Sequence, residues 1–183
     1  MPKAIEHASS EILVMTRRLL AEQGFVHLNM RTIAAACGMA TGTLYNYYKA
    51  KDEIVHAVML EDWRGMLSRI DDRCAAACGE DPVDTLRAIF EELHVYFAAY
   101  RDVWMEMAAV PTESKSAVVL GYDTQVFQRE LASRVSSALP PAKEGSLDPE
   151  LLTDVVVRLF SMYAMEKDFE YGRLAPFLRR MTL

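Results

Sequence analysis

The stretch "TGTLYNYYKAKDEI", Thr41 to Ile54, crowds hydroxyls and cations together: Thr41, Thr43, Tyr45, Tyr47 and Tyr48, with Lys49 and Lys51 close behind. Threonine and tyrosine hydroxyls donate hydrogen bonds to phosphate oxygens without adding charge, and lysines add the charge. The chemistry open to such a set is recognition of a phosphate backbone. Bond-making chemistry has no comparable signature. The chain has no HExxH, no phosphate-cradling glycine loop and no GxSxG. The adjacent acids Asp71-Asp72 and Glu91-Glu92 do not share a helix face and are expected to be solvated. The chain is therefore not expected to be an enzyme, and nothing in it calls for a cofactor.

A second concentration lies in "EELHVYFAAYRDVWMEMAAV", which carries His94, Tyr96, Phe97, Tyr100, Trp104, Met105 and Met107. Trp63 and Met66 precede it, and Tyr122 and Phe127 follow. Methionines and aromatics line adaptable apolar pockets, and they also fill ordinary cores. As a pocket, the candidate ligand residues are Trp63, Met66, His94, Phe97, Tyr100, Trp104, Met107, Tyr122 and Phe127. Only Arg101, Asp102 and Glu106 bring strong charge there, so the matching ligand is apolar or aromatic with few polar handles. Cys74 and Cys78 sit four apart and, with His94, are the nearest approach to a metal or redox site. Small thiols in an alanine-rich helix end are the simpler reading, and no metal is expected. Cys37 reads as packing, and His7, His27 and His56 are isolated.

The chain has 183 residues, enough for a buried core; 51% are hydrophobic and 25% charged, which excludes disorder. Net charge is -6, unevenly spread: Met1 to Asp52 carries +2 and the remainder -8. A mildly basic front and an acidic body fit a chain whose anion-binding face is local. Three cysteines, an odd count, with no signal-peptide pattern, point to a reducing, cytoplasmic setting. No apolar stretch approaches the ~18 residues of a membrane span.

The elements that must position these groups read as helices almost throughout. Ile5, Ala8, Ile12, Met15 and Leu19 recur at helical spacing, and Gly24 stops that helix. Asn29 is placed to cap "MRTIAAACG", which Gly38 ends. "MAT" is a tight turn and "GTLYNYY" a second short helix. Longer helices are expected from about Asp52 to Ala77, Val83 to Tyr100, Asp102 to Val110, and Ser114 to Leu139. "PPAKEGSLDP" is a loop, and two helices follow, Pro149 to about Glu166 and about Glu170 to Met181. No strand-like alternation of useful length occurs.

Two short helices joined by a tight glycine-containing turn, framed by longer ones, form a helix-turn-helix pattern. Its second helix is sized for a DNA major groove. "MRTIAAACGMATGTLYNYYKAKDEI" resembles the DNA-binding signature of the TetR-like transcriptional regulators. The matching residues are Ile33-Ala34, Gly38, Gly42-Thr43-Leu44-Tyr45, Tyr47-Tyr48 and Lys51. The resemblance implies residue roles. Arg31 reaches DNA, and Thr41, Gly42, Tyr45 and Asn46 face the groove or its edge. Thr43, Tyr47 and Lys51 contact phosphates, while Ile33, Leu44 and Tyr48 pack the core. Two positions depart from the pattern: Ala40 and Ala50 stand where a capping Ser or Asn is usual. Losing such a cap costs about 0.5–2 kcal/mol. Thr41 is expected to take over the first by a one-residue shift, and Asp52 and Glu53 to favour the next helix start.

The expected fold class is all-α: a three-helix helix-turn-helix domain over residues 1–51, then a larger helical effector-binding and dimerisation domain over 52–183. The closing helices are apolar over wide faces, a surface able to pack on a symmetry mate. The resemblance implies a homodimer with its interface there, and the candidate contacts are Leu152, Val155, Val156, Leu159, Phe160 and Phe177. It further implies double-stranded operator DNA and a small effector as partners. The function that follows is repression from a palindromic operator, relieved by an apolar or aromatic effector. A protein that keeps the fold but acts through protein–protein contacts is the competing expectation. It has no need of the Arg31, Thr43, Tyr45 and Lys51 set.

Overall fold

The computed structural model describes residues 3–76, 81–109, 118–141 and 148–182, without the side chains of 3–7, 118–125 and 182. Among the described residues every regular element is helical. In order these are α1 (Lys3–His27), α2 (Met30–Ala36), α3 (Thr41–Leu44), α4 (Lys51–Ala76), α5 (Pro82–Ala109), α6 (Val118–Ala138) and α7 (Pro149–Tyr163). A 3-10 turn at Tyr171–Arg173 leads into α8 (Ala175–Thr182). None of these helices is long and apolar enough to cross a membrane.

Three boundaries differ from the sequence reading. α5 is one helix, where two were expected on either side of Arg101. Nothing between Pro82 and Ala109 breaks a helix: that run contains neither Gly nor a second Pro. α3 is only four residues long. Beyond Leu44 the amides of Asn46 and Tyr47 reach back three residues, to Thr43 and Leu44, so the chain tightens into a turn. The last helix starts at Ala175 rather than near Glu170, with Pro176 in its first turn, where a missing N–H costs nothing.

The chain divides into two compact units, and α4 and α5 contribute to both. The first comprises Met1–Asp62 with Tyr100–Gly121. Its α1 buries Ile12, Thr16 and Leu20, a stripe at spacing four, while Met15 and Leu19 are half-exposed at its edge. Gly24 breaks α1 with φ 76° and ψ 172°, a combination reserved for glycine. Past the break Phe25 and Leu28 turn inward and are buried with Ile33, Leu44 and Ile54. A polar tie crosses this unit. The Arg17 guanidinium bonds Asp62 and Glu61, and the Tyr100 hydroxyl donates to the same Asp62 carboxylate. These partners, Asp62 foremost, push the Arg17 pKa up, so it stays charged.

The second unit comprises Trp63–Ala99 and Tyr122–Leu183. Its centre is aromatic. Phe90 of α5 meets Phe160 of α7 edge-on at 5.3 Å between ring centroids, with Tyr171 at 5.5 Å and Phe169 at 5.9 Å. The Tyr171 hydroxyl donates to the Val83 carbonyl at 2.6 Å, satisfying a polar tip inside an apolar centre. Of the acids expected to be solvated, Asp71, Asp72 and Glu91 are exposed, but Asp71, Glu91 and the half-buried Glu92 also carry ion pairs. Arg73 bonds Glu91 and Glu92, Arg69 bonds Glu92, and Arg134 grips Asp71 with two nitrogens. The helix-face argument was right for each acid taken alone. It could not see arginines arriving from other helices.

Candidate nucleic-acid interface

The three-helix front end is held by local chemistry. Asn29 caps α2: its Oδ1 accepts from the amides of Arg31 at 3.1 Å and Thr32 at 3.0 Å. Thr32 Oγ1 accepts in return from the Asn29 amide, completing a reciprocal box. At the far end Gly38, with φ 64°, lets the Met39 amide reach the Ala34 carbonyl and its own amide reach Ala35. This pair of bonds is a Schellman closure, and it requires the left-handed residue that glycine supplies.

α3 begins at Ala40, which offers no side-chain cap. Thr41 does not take over the cap: it is the first helical residue, and the first turn hangs from the Ala40 carbonyl through the amides of Thr43 and Leu44. What fixes α3 is Leu44, its last residue, which is fully buried. At α4 an acid of the first turn ties back the preceding chain: Glu53 Oε2 accepts from the Lys49 amide at 2.7 Å, and Asp52 and Glu53 favour the helix start through its dipole.

With Ile33, Ala34 and Leu44 turned in, the neighbouring residues are turned out. Arg31, Gly42, Thr43, Tyr45 and Asn46 are exposed, and Thr41 and Tyr47 half-exposed. Tyr45 leaves 45% of its surface to solvent, an unusual display for a tyrosine with no packing reason to be there. Tyr48 is half-buried and shares a hydrogen bond with Ser9 Oγ of α1 at 3.2 Å.

The two lysines part company. Lys51 Nζ donates to the Phe25 carbonyl at 2.8 Å and lies 4.1 Å from the centre of the Phe25 ring. It is engaged at the end of α1 by a bond and a cation–π contact. Lys49 is exposed, with Nζ on the Tyr45 carbonyl at 3.0 Å beside the outward tyrosine. Lys49 is the cation the family pattern passed over; it differs from Lys51 in its exposure and in Lys51's tie to Phe25.

The candidate effector residues fall into both units. Trp63, Met66, His94, Phe97 and Phe127 belong to the second, and Tyr100, Trp104 and Met107 to the first. The side chain of Tyr122 lies outside the described residues. Trp63, Met66 and Tyr100 are buried core. Trp63 packs on Tyr96 and Phe127 and donates its indole N–H to Glu130 at 2.8 Å. His94, Phe97, Trp104, Met107 and Phe127 keep partial exposure. His94 Nδ1 meets the Ala164 carbonyl at 3.0 Å; a carbonyl only accepts, so that nitrogen carries the proton. An open groove of about 640 Å3 between α6 and α7 has a different lining, with Ala132, Ser133, Ser136 and Thr153 among it, and includes none of the candidate effector residues.

The candidate dimer contacts need revision. Leu152, Val156 and Phe160 are buried in the chain's own core, at 7%, 0% and 0% exposure, so they offer nothing to a second copy. Val155 and Leu159 are half-exposed, and Phe177 is exposed. The apolar stripe left to solvent on α7 is Leu151, Val155, Leu159 and Met162, of which the sequence reading missed the first and last. Cys78 lies outside the described residues. Burial, and then Asp71, push the Cys74 thiol up, away from the thiolate a metal or redox site needs. Burial does the same to Cys37.

Residues 12–58 match the family model for bacterial regulatory proteins of the tetR family. Across 166 residues the chain is 25% identical to the HTH-type transcriptional regulator UidR of Escherichia coli strain K12, covering 91% of this chain and 79% of that one. It is 24% identical over 164 residues to the HTH-type transcriptional repressor KstR2 of Mycolicibacterium smegmatis, covering 81% of this chain and 71% of that one. In fold it is similar to the regulator FadR from Bacillus subtilis, solved in complex with stearoyl-CoA. The TM-score is 0.64 at 16% identity, over 94% of this chain and 97% of that one.

Proposed function

We propose that the chain is a TetR-type helix-turn-helix transcriptional regulator that acts as a homodimeric repressor, released from a palindromic operator by a small apolar or aromatic effector. One observation carries the DNA-binding part. Arg31, Thr43, Tyr45 and Asn46 face solvent while Ile33, Ala34 and Leu44 of the same two helices are buried. Side chains kept for packing would not be displayed this way. In this reading Arg31, Thr41, Gly42, Tyr45 and Asn46 meet the groove, and Thr43, Tyr47 and Lys49 meet phosphates. Lys51, tied to Phe25, contributes by holding the helices in place.

Functionally, residues 1–51 serve the operator, and residues 52–183 serve the effector and the second copy. Within the second unit, His94, Phe97 and Phe127 are the effector contacts, backed by Trp63 and Met66. The α7 stripe Leu151, Val155, Leu159 and Met162, with Phe177, is the face for the second copy. Its four α7 members follow helical spacing, as one packing seam requires. An operator partner makes the working compartment the cytoplasm.

The test compares Tyr45→Ala with Lys51→Ala in anisotropy titrations of operator DNA. Loss of the Tyr45 contact is expected to cost about 1–2 kcal/mol of operator affinity with the melting temperature unchanged. Loss of Lys51 is expected to lower both affinity and melting temperature. Unchanged affinity in both variants would rule the interface out.

A further inference from the structure

We propose that Glu106, on the helix that also carries candidate effector contacts, is a positioning residue for DNA binding: it fixes the bend between α1 and α2. The proposal rests on the DNA-binding reading above and concerns the first unit alone. The single connection from α1 to α2 is the segment from Gly24 to Asn29. Gly24 holds φ 76° and ψ 172°, so the following amides point away from the α1 ladder. The Val26 amide donates to Glu106 Oε2 at 2.9 Å. The other carboxylate oxygen lies 3.2 Å from where a Cβ on Gly24 would stand. From α4, Lys51 donates to the carbonyl of the same peptide group, that of Phe25, at 2.8 Å. One peptide group of the bend is thus gripped at its N–H by an acid of α5 and at its C=O by a base of α4.

What this grip controls follows from the chain itself. Three residues beyond Val26, Asn29 starts α2, and Arg31 lies in its first turn. A change in the bend therefore swings Arg31 and the α3 face together, while the buried anchors Phe25 and Leu28 keep the segment attached. The bond is peripheral enough to lose without unfolding: Glu106 is only half-buried. Tyr100, further back on α5, is separately tied to Asp62 and through it to Arg17 of α1. That second tie keeps the end of α5 in place when the Glu106 bond is removed, so the variant isolates the bend.

The experiment compares Glu106→Ala and Glu106→Gln with the parent full-length chain. Three quantities are measured: Val26 amide hydrogen exchange, melting temperature, and affinity for a duplex selected by the parent protein from a random pool. In Glu106→Ala the Val26 amide is expected to exchange at least fivefold faster and affinity to fall roughly five- to tenfold, with the melting temperature within about 2 °C. Glu106→Gln keeps an acceptor oxygen and is expected to restore both the exchange rate and affinity to within about twofold. A purely structural role would lower the melting temperature without this rescue. Faster exchange with unchanged affinity overturns the positioning role, and unchanged exchange overturns the bond. Equal loss in both variants assigns the effect to charge and overturns the proposal as well. If the parent protein selects no duplex, the DNA-binding reading fails and the positioning role falls with it, while the exchange data still report the bond.

Discussion

The α2–α3 region and α7 put surface residues on display by opposite means. In α2–α3 a few buried side chains, Ile33, Ala34 and Leu44, orient the rest, and what faces out is polar or aromatic with a hydroxyl. In α7 both sides are apolar. Leu152, Val156 and Phe160 face in, and Leu151, Val155, Leu159 and Met162 face out wholly or in part. A polar outward face can wait in water for DNA at little cost. An apolar outward face gains from being covered, at about 25 cal/mol per Å2 removed from water. In the proposed reading, the contrast separates a surface used intermittently, by DNA, from one used permanently, by a second copy.

The sharpest way to break the comparison is inside α7. Phe160→Ala is expected to destabilise the chain by about 3–5 kcal/mol, because its ring is the edge-on partner of Phe90. Leu151→Ala and Met162→Ala, just before and just after the buried stripe in sequence, are expected to change the fold's own stability by less than about 0.5 kcal/mol. Those same variants are expected to drive the protein toward the 20.7 kDa single-chain species in light scattering. If the parent protein is already that species at micromolar concentration, the α7 face is not a dimer seam.

A smaller effect probes the other region. Asn29→Ala removes the α2 cap and is expected to cost about 1 kcal/mol in urea unfolding, while Asn29→Gly costs only a few tenths. A negligible loss for Asn29→Ala would mean that burial alone, and not local capping, holds the helix-turn-helix.

The smallest effect is a pH dependence. Burial pushes the Tyr171 phenol above its ordinary value of about 10. The unfolded chain ionises first there, so stability present below about pH 10 falls as pH rises toward the folded value. Tyr171→Phe is expected to flatten this alkaline slope in melting curves taken between pH 9 and pH 11 (roughly the window in which unfolded tyrosine ionises). An unchanged slope would deny Tyr171 that role.

The same contrast explains what was legible in the sequence. Asn29 and Gly38 act through bonds that span two to five residues, so type and spacing suffice to read them. Glu53 is legible as an acid at a helix start, but its bond to the Lys49 amide is not. In α7 periodicity announced a helix, but two apolar stripes give the same period, and only packing against Phe90 decides which one is inside. Lys49 and Lys51 are chemically alike; a ring and a carbonyl 26 residues away separate their roles. Glu106 was legible only as one charge among aromatics, because its partner, the Val26 amide, is 80 residues distant.

Selection of random duplex DNA by the purified full-length protein, at two salt concentrations, tests the central claim most directly. The expected result is a palindrome whose half-site centres lie about 34–36 Å apart or somewhat more, with recovery falling as salt rises. No recovery at low salt, from protein free of copurified small molecules, would contradict a DNA-binding role for the outward face of α2 and α3.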